Sequence, residues 1–570
     1  MRKLLPFLFV WTFAALPASA QLLTDLNNPI YHDLRTWQNQ GYIRLLPLVE
    51  PYSGILMKAL LHEAEQNGDA TVKAKALAYE NKYFKPLTYP DTHLSQYSLS
   101  SSRGYFGLSQ VSEQLRGMLG PYVYLDGAYS VLGLETTSSD PNLDINNIGA
   151  QLAPIGSTLP GDYKVDKTSL SAKGQQFAVT WSYNTSLSVG NSALSFQTGY
   201  SRTAIDPYQN DSIILSPQAQ AAPEMMLTWR TRDTAYQSLF LALAARDVSG
   251  QGPGAPQKYL NFSSFQWRTP SPLELDLYQT VVYGQRVDLG YFIPGFPFMQ
   301  SEMYGNTDNL FLGGGAKYFF GSGLRAEAQL YLDDFTIVSA LAGKNPGFKA
   351  AGNLNLDWTP EDPGILEQVG LEYTIVTPYT YTHTPDYLDN PNSVNYGYVS
   401  NPASNTTKTP TYDPINYLDY TNNGSSLGTV IGPNSDRLRL NARFRGPAKS
   451  TFTYELSMIR HGDASAGANT AYYTYLQTLN PGLWGTVFDP GYDANNGGTK
   501  NLYETMQFLT QNNVMTVFQT SVGFQIPVPM GKSLLTPFVN VLGEWYTNRG
   551  TVIGDNGFTA FVTVGGTWDF

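Results

Sequence analysis

The chain has 570 residues, a formal net charge of −11 and no cysteine. Charged residues make up 14% of it, against about 25% in a usual soluble domain, and aromatic residues make up 13%. The acidic balance argues against a nucleic-acid partner, and a chain without cysteine forms no disulfides.

The first segment, residues 1–20, is predicted to be a secretory signal peptide. Arg2 and Lys3 are its positive start, an apolar run extends to Leu16, and small residues at 18–20 provide a cleavage site. Because cleavage removes two positive charges, the mature chain changes from −11 to −13. No cysteine follows the cleavage site, so a lipid-anchored protein is not expected.

Residues 21–88 are predicted to be a periplasmic helical region. A short helical pattern covers 30–40, Ser53 is placed to cap a helix that continues to Glu65, and an alanine-rich run covers 69–83. An alternative interpretation is an independent soluble mini-domain.

Residues 89–570 are predicted to be an outer-membrane β-barrel. After the signal, no stretch approaches the ~18 consecutive apolar residues of a membrane helix. Apolar and polar residues instead alternate in segments of about ten residues, as in Phe177–Tyr183 and Leu324–Asp333. We therefore expect an all-β fold, a large transmembrane antiparallel barrel of about 16–18 strands. Mean hydropathy is only −0.24, because the lumen-facing half of a barrel is polar.

The connections between strands differ in length, which predicts the orientation of the barrel. Short turns such as 321–323 suit the periplasmic side, and both termini are expected there. The longest connections, at about 134–172, 380–434 and 461–512, are rich in Asn, Gly, Pro, Ser and Tyr and are expected outside.

One strand carries a row of arginines, Arg437, Arg439, Arg443 and Arg445. On a lipid face each would cost ~2–4 kcal/mol near the midplane, so the row is predicted to face the lumen. There it needs carboxylates, and several lie on the polar sets of their strands: Glu274, Asp276, Glu327, Asp333, Glu372 and Glu455. The row is either a ladder of ion pairs that fills the barrel or a cation-lined site for an acidic glycan.

Tyrosines are concentrated in two of the long loops. Tyr379 and Tyr381 begin the first, and Tyr473 and Trp484 lie in the second. Aromatic faces stack on the apolar patches of sugar rings, which makes these residues candidates for glycan binding. Packing within the loops and at the membrane interface is the alternative.

The closing strand, Gly557–Phe570, alternates apolar and polar residues to the last position. A terminal Phe resembles the signal by which bacterial barrels are delivered to the barrel assembly machinery. We therefore expect the cell outer membrane as the location, with outer-membrane lipid as a partner.

Signals of catalysis, metals and cofactors are weak. The five histidines are scattered, and a stretch from Asp493 to Glu504 departs from a calcium loop at its fifth position. The pair Asp333–Asp334 with His383 could form the rim of an outer-membrane hydrolase, but those enzymes have smaller barrels. We therefore expect no catalytic residues, no metal and no cofactor.

Three ordered stretches resemble the Wzi family of capsule-assembly outer-membrane proteins. They are Gln279–Pro294, followed by Glu302, Asp308–Asn309 and Leu330–Asp334; Leu371–Pro378, followed by Tyr379–His383; and Tyr417–Tyr420, followed by Leu427–Gly428 and Gly432–Asp436. The resemblance implies an eighteen-stranded barrel with periplasmic helices. It also implies a surface lectin that holds capsular polysaccharide, neither an enzyme nor an open pore.

The leading hypothesis is therefore a monomeric, non-enzymatic barrel that binds or anchors capsular or other extracellular polysaccharide. The alternative is a porin-like channel for small solutes. Lumen charges that are paired favour the first hypothesis, and unpaired charges at a constriction favour the second.

Overall fold

A computed structural model of the chain places most of the region that follows the predicted signal peptide. The structure describes residues 22–87, 91–138, 152–159, 168–172, 175–245, 257–284, 286–302, 308–334, 349–361, 364–382, 417–423, 425–462, 492–493, 500–501, 508–510, 512–531 and 533–569. The predicted signal peptide, residues 1–20, lies outside these ranges.

Three long helices precede eighteen barrel strands in the described part of the chain. The helices are α1 (Pro29–Asn39), α2 (Gly54–Asn67) and α3 (Ala70–Tyr83). The strands are β1 (Asp91–Ser101), β2 (Gly104–Gly120), β3 (Val123–Ser138), β4 (Gln175–Gly190), β5 (Leu194–Ser201), β6 (Ala222–Arg230), β7 (Thr234–Ala244), β8 (Gln257–Arg268), β9 (Leu273–Gly284), β10 (Asn309–Gly321), β11 (Leu324–Asp334), β12 (Lys349–Trp358), β13 (Leu366–Val376), β14 (Ser435–Arg445), β15 (Thr451–His461), β16 (Met515–Gln525), β17 (Ser533–Thr547) and β18 (Gly557–Asp569).

Each strand pairs antiparallel with its neighbours, and β18 pairs with β1 to close the barrel. The closing register runs from His93 opposite Asp569 to Ser101 opposite Phe561. Two short segments extend this wall: residues 168–172 pair with β4, and Val528–Met530 pairs with β17. The predicted fold class, a large antiparallel barrel, is confirmed.

Alternation along each strand separates an outer apolar face from an inner polar face. On β4, Val179 is 57% exposed and Trp181 is 62% exposed, whereas Ala178 and Thr180 between and beside them are buried. Because a strand turns successive side chains to opposite faces, every second residue faces the lumen. Among the described helices, none has the length and hydropathy to cross a membrane.

The two ends of the barrel differ, and we name them the short-turn end and the loop end. At the short-turn end, connections such as 321–324 are tight and lie beside the helices and the terminal strand. The long connections leave from the loop end. The short-turn end therefore carries both ends of the described chain.

Each of the three helices begins at a capping side chain, and that of Ser53 confirms the predicted cap. Side chains of Asn28, Ser53 and Asp69 accept hydrogen bonds from backbone N–H groups at the starts of α1, α2 and α3. The helices share an apolar cluster that includes Tyr124 of β3. A Cβ at Gly54 would lie 2.0 Å from the Tyr124 ring, so this close contact requires glycine. The region is thus packed onto the barrel.

Part of the predicted periplasmic region lies inside the barrel. Val49–Glu50 pairs with Ala204–Ile205, which belongs to the connection between β5 and β6. The N–H of Val49 donates to Gln237 of β7 at 2.8 Å, and that of Leu48 donates to Gln266 of β8 at 3.1 Å. The glutamines of the inner wall supply hydrogen bonds that an entering chain needs.

Candidate functional site

The lumen contains an inward-folded connection, residues 202–221, which we name the inner loop. Its tip is a turn in which Tyr208 and Asp211 exchange backbone hydrogen bonds at 2.8 and 3.0 Å. The two residues of the turn, Gln209 and Asn210, have φ of 45° and 63°. This pair of left-handed residues reverses the chain inside the barrel.

Two of the predicted arginines hold the tip of the inner loop. The Arg437 guanidinium contacts Asp211 at 2.9 Å and Glu372 of β13 at 2.7 Å. Arg439 pairs with Glu372 and donates to the backbone carbonyls of Tyr208 and Gln209 at 3.3 and 3.1 Å. The two guanidiniums and two carboxylates are all buried, so the inner loop is fixed to the wall by charge-assisted hydrogen bonds.

A second anchor of the inner loop is Asp206. Its carboxylate accepts from Lys317 of β10 at 2.8 Å and from Gln329 of β11 at 2.6 Å. Three further carboxylates surround the same ammonium, at 3.7 Å for Glu274, 4.0 Å for Asp276 and 3.8 Å for Glu327. This ammonium therefore connects the inner loop to carboxylates of β9 and β11, although both oxygens of Asp276 are buried without a hydrogen-bond partner.

The other two predicted arginines lie near the short-turn end. Arg443 and Arg445 both contact Glu367, at 3.1 and 2.8 Å, and their side chains are 30% and 51% exposed. The row therefore divides into a buried pair and a solvated pair. Arg445 is the last residue of its strand, and its side chain shares Glu367 with Arg443 at the end of the row.

Apolar residues seal the loop end above these charges. Ile213, Ile214 and Leu215 of the inner loop are at most 1% exposed and belong to the largest apolar cluster. The Tyr381 hydroxyl donates to the Ile213 carbonyl at 2.6 Å, and the Tyr420 hydroxyl donates to the Ile214 carbonyl at 2.7 Å. The inner loop is thus held by tyrosines on its loop-end side and by charges on its wall side.

The role predicted for Tyr379 and Tyr381 is corrected by their burial. Both rings are 0% exposed, and both residues have left-handed backbone, with φ of 61° and 72°. The predicted lumen residue Asp333 accepts a hydrogen bond from the Tyr381 N–H. A ring without exposed surface cannot stack on a sugar. The other aromatic candidates, Tyr473 and Trp484, lie outside the described residues.

A further buried ion pair holds the segment 417–423. This pair is not among the predicted contacts. Lys258 of β8 is 0% exposed and pairs with Asp419, and its ammonium also lies 3.2 Å from the Thr421 hydroxyl. Asn309 donates to the Leu418 carbonyl at 2.8 Å. No local pattern distinguishes Lys258, since its partner lies 161 residues away.

One group of side chains in the described residues has the spacing of metal ligands. It consists of His62 and Glu65 on α2 with Glu80 on α3, and the contact from His62 Nδ1 to Glu65 is 3.4 Å. Partial burial and the Glu65 carboxylate raise the pKa of Glu80. The group lies on the outer surface of the helices, where it is remote from the lumen contacts.

Comparison with known proteins shows likeness of fold. No protein-family model and no curated protein sequence matches the chain. The structure of Wzi, an Escherichia coli outer-membrane protein involved in group 1 capsule assembly and described as a carbohydrate-binding β-barrel, is similar with a TM-score of 0.53 and 12% identity. That similarity covers 96% of this chain and 99% of that one.

Two structures from Pseudomonas aeruginosa, one of them described as an outer membrane protein, have lower TM-scores. OprD matches with a TM-score of 0.41 and 10% identity over 86% of this chain and 94% of that one. OccK7 matches with 0.40 and 9% over 85% and 99%. The fold is therefore that of an outer-membrane β-barrel, as the similarity to Wzi shows.

Proposed function

We propose that this barrel binds or anchors capsular or other surface polysaccharide at its loop end, without catalysis and without conducting solutes through its lumen. The observation that carries the proposal is the filled interior. The inner loop is tied to the wall through Asp206 and Asp211, and the segment around Val49 pairs with it from the short-turn end.

A channel requires a continuous, water-filled path through the lumen of the barrel. In this barrel a cluster of buried side chains crosses that path, with Ile214, Phe311 and Tyr331 each 0% exposed. Opening a path would expose these apolar groups and separate the buried ion pairs of Asp211 with Arg437, which costs several kcal/mol. The arrangement supports a closed barrel.

The ligand class is proposed from the likeness to Wzi, whose structure is described as a carbohydrate-binding barrel. The short-turn end is covered by α1 to α3, so the loop end offers the surface for a glycan. Asn, Tyr and Gly predominate in the long connections there, and such residues hydrogen-bond and stack on sugars. We propose a monomer that needs no cofactor.

The proposal is tested with the purified, refolded barrel in two measurements. Isothermal titration with capsular polysaccharide from the source organism is expected to show saturable binding, and a neutral dextran of matched size is the control ligand. Planar-bilayer recording is expected to show no stable openings. Large, stable openings without glycan binding would overturn the proposal in favour of a channel.

A further inference from the structure

Residues 286–300 follow β9 and fold back over the outer face of the barrel; we name them the flap. The Gly295 N–H donates to the Tyr236 hydroxyl at 3.1 Å, and the Phe298 N–H donates to Gln279 at 2.9 Å. Tyr236 lies two residues from the short-turn end of β7, and Gln279 lies in the middle of β9. The flap therefore descends along the membrane-spanning wall.

The wall beneath the flap carries polar side chains on its outer face. Gln279 donates to the Ser263 hydroxyl at 3.0 Å and to the Phe296 carbonyl at 2.7 Å. Asn261 donates to the Tyr291 carbonyl at 3.3 Å and accepts from the Tyr283 hydroxyl at 2.8 Å. Polar groups are costly on a lipid face, and here the flap covers and satisfies them.

Irregular chain in hydrocarbon requires hydrogen-bonded backbone groups, and most N–H groups in the centre of the flap are bonded. Between 290 and 298, Pro294 and Pro297 have no N–H, and six of the seven other residues donate a hydrogen bond. The bonded N–H groups and their acceptors are Gly290 to Asp288 Oδ1, Tyr291 to the Asp288 carbonyl, Ile293 to the Gly290 carbonyl, Gly295 to Tyr236, Phe296 to the Ile293 carbonyl and Phe298 to Gln279.

The outward surface of the flap is apolar. Among the exposed residues of the flap, all except Gln300 at its end are hydrophobes, prolines or glycines. The exposed side chains are Val287 at 52%, Leu289 at 75%, Ile293 at 56% and Met299 at 49%. This surface continues the lipid-facing band of β9, where Leu277 is 68% exposed.

We propose that the flap is embedded in the outer membrane and that its occupant is lipid: Leu289 and Ile293 contact acyl chains. The flap replaces part of the strand wall as the lipid-facing surface of β7 to β9. Continuity with the exposed band of β9, the hydrogen-bonded N–H groups and the apolar outer surface each support lipid as the partner. The flap then separates the polar side chains of Gln279, Asn261 and Ser263 from the lipid.

The test uses single-cysteine spin labelling, for which the natural chain provides a cysteine-free background. Labels are placed by Leu289→Cys and Ile293→Cys in the full barrel, reconstituted in phosphatidylethanolamine–phosphatidylglycerol vesicles. Leu277→Cys is the lipid reference, and Asn556→Cys in the exposed turn between β17 and β18 is the water reference. Collision with oxygen and with a water-soluble nickel complex is measured at each site.

We expect the ratio of oxygen accessibility to nickel accessibility to be high at positions 289 and 293, as at 277. The same ratio should be low at 556. A nickel accessibility at 289 and 293 equal to that at 556 would overturn the proposal. Exclusion of both reagents would also overturn it, because it would identify a protein surface such as a second copy. All four labelled positions are exposed, so each variant is expected to fold, which heat-modifiable migration in gels verifies.

Discussion

The strongest prediction concerns Glu372, whose carboxylate lies between two buried arginines. It is 1% exposed and accepts from Arg437 at 2.7 Å, from Arg439 Nε at 2.9 Å and from the Thr374 hydroxyl at 2.6 Å. Glu372→Gln keeps the volume but removes the charge and turns an amide N–H₂ toward a guanidinium. Breaking a buried pair in this way leaves an uncompensated charge and costs about 3–5 kcal/mol.

The matched control is Glu367→Gln on the same strand. Glu367 also lies between two arginines, but the side chains of Arg443 and Arg445 are 30% and 51% exposed. Exposed ion pairs contribute about 0.2–1 kcal/mol, so this variant is expected to lose no more than that. The comparison isolates the effect of burial, because each variant replaces a glutamate that pairs with two arginines.

The assay is equilibrium unfolding of the refolded barrel by guanidinium chloride in vesicles, followed by tryptophan fluorescence. The free energy of unfolding of Glu372→Gln should fall by about 3–5 kcal/mol and that of Glu367→Gln by at most about 1 kcal/mol. Equal losses in the two variants, or a Glu372→Gln barrel as stable as the parent, would refute the assignment of a buried charge network.

Three further predictions address the inner loop, the flap and Tyr381. Asp211→Ala removes one anchor of the inner loop, and planar-bilayer recording should then show brief openings that the parent lacks; an unchanged trace would argue against the loop as the seal. Ile293→Arg should lower the free energy of unfolding by about 2–4 kcal/mol, whereas Asn556→Arg should change it by less than about 1 kcal/mol, both by the same titration; similar values would place the flap in water. Tyr381→Phe should cost about 0.5–1.5 kcal/mol by the same titration, because it removes the hydrogen bond to the Ile213 carbonyl, and an unchanged free energy of unfolding would argue against that bond.

The barrel was predictable because two solvents act on every strand. Lipid selects apolar residues at alternate positions and the lumen selects polar ones, so Phe177–Tyr183 shows the period of two in the sequence itself. The helix starts were predictable for a different reason. Asn28, Ser53 and Asp69 act on N–H groups two or three residues away, which is a local interaction that composition and spacing reveal.

The filling of the lumen was not predictable, because its contacts join distant parts of the chain. Arg437 and Asp211 are 226 residues apart, and no local pattern connects them. The apolar triplet Ile213–Leu215 was a weak signal that the inner loop is buried. For Tyr381 the sequence predicts a loop residue that stacks on sugars. A polar stretch around a tyrosine looks the same whether the ring faces water or the core, so the burial of Tyr381 was not visible in the sequence.

The first and last strands meet at the register of His93 with Asp569, where the two side chains also contact each other at 2.6 Å. That seam forms only after the final strand has been synthesised and delivered. The interior of the closed barrel holds chain from before β1 and from between β5 and β6. The seam therefore completes a wall that encloses segments from two distant parts of the chain.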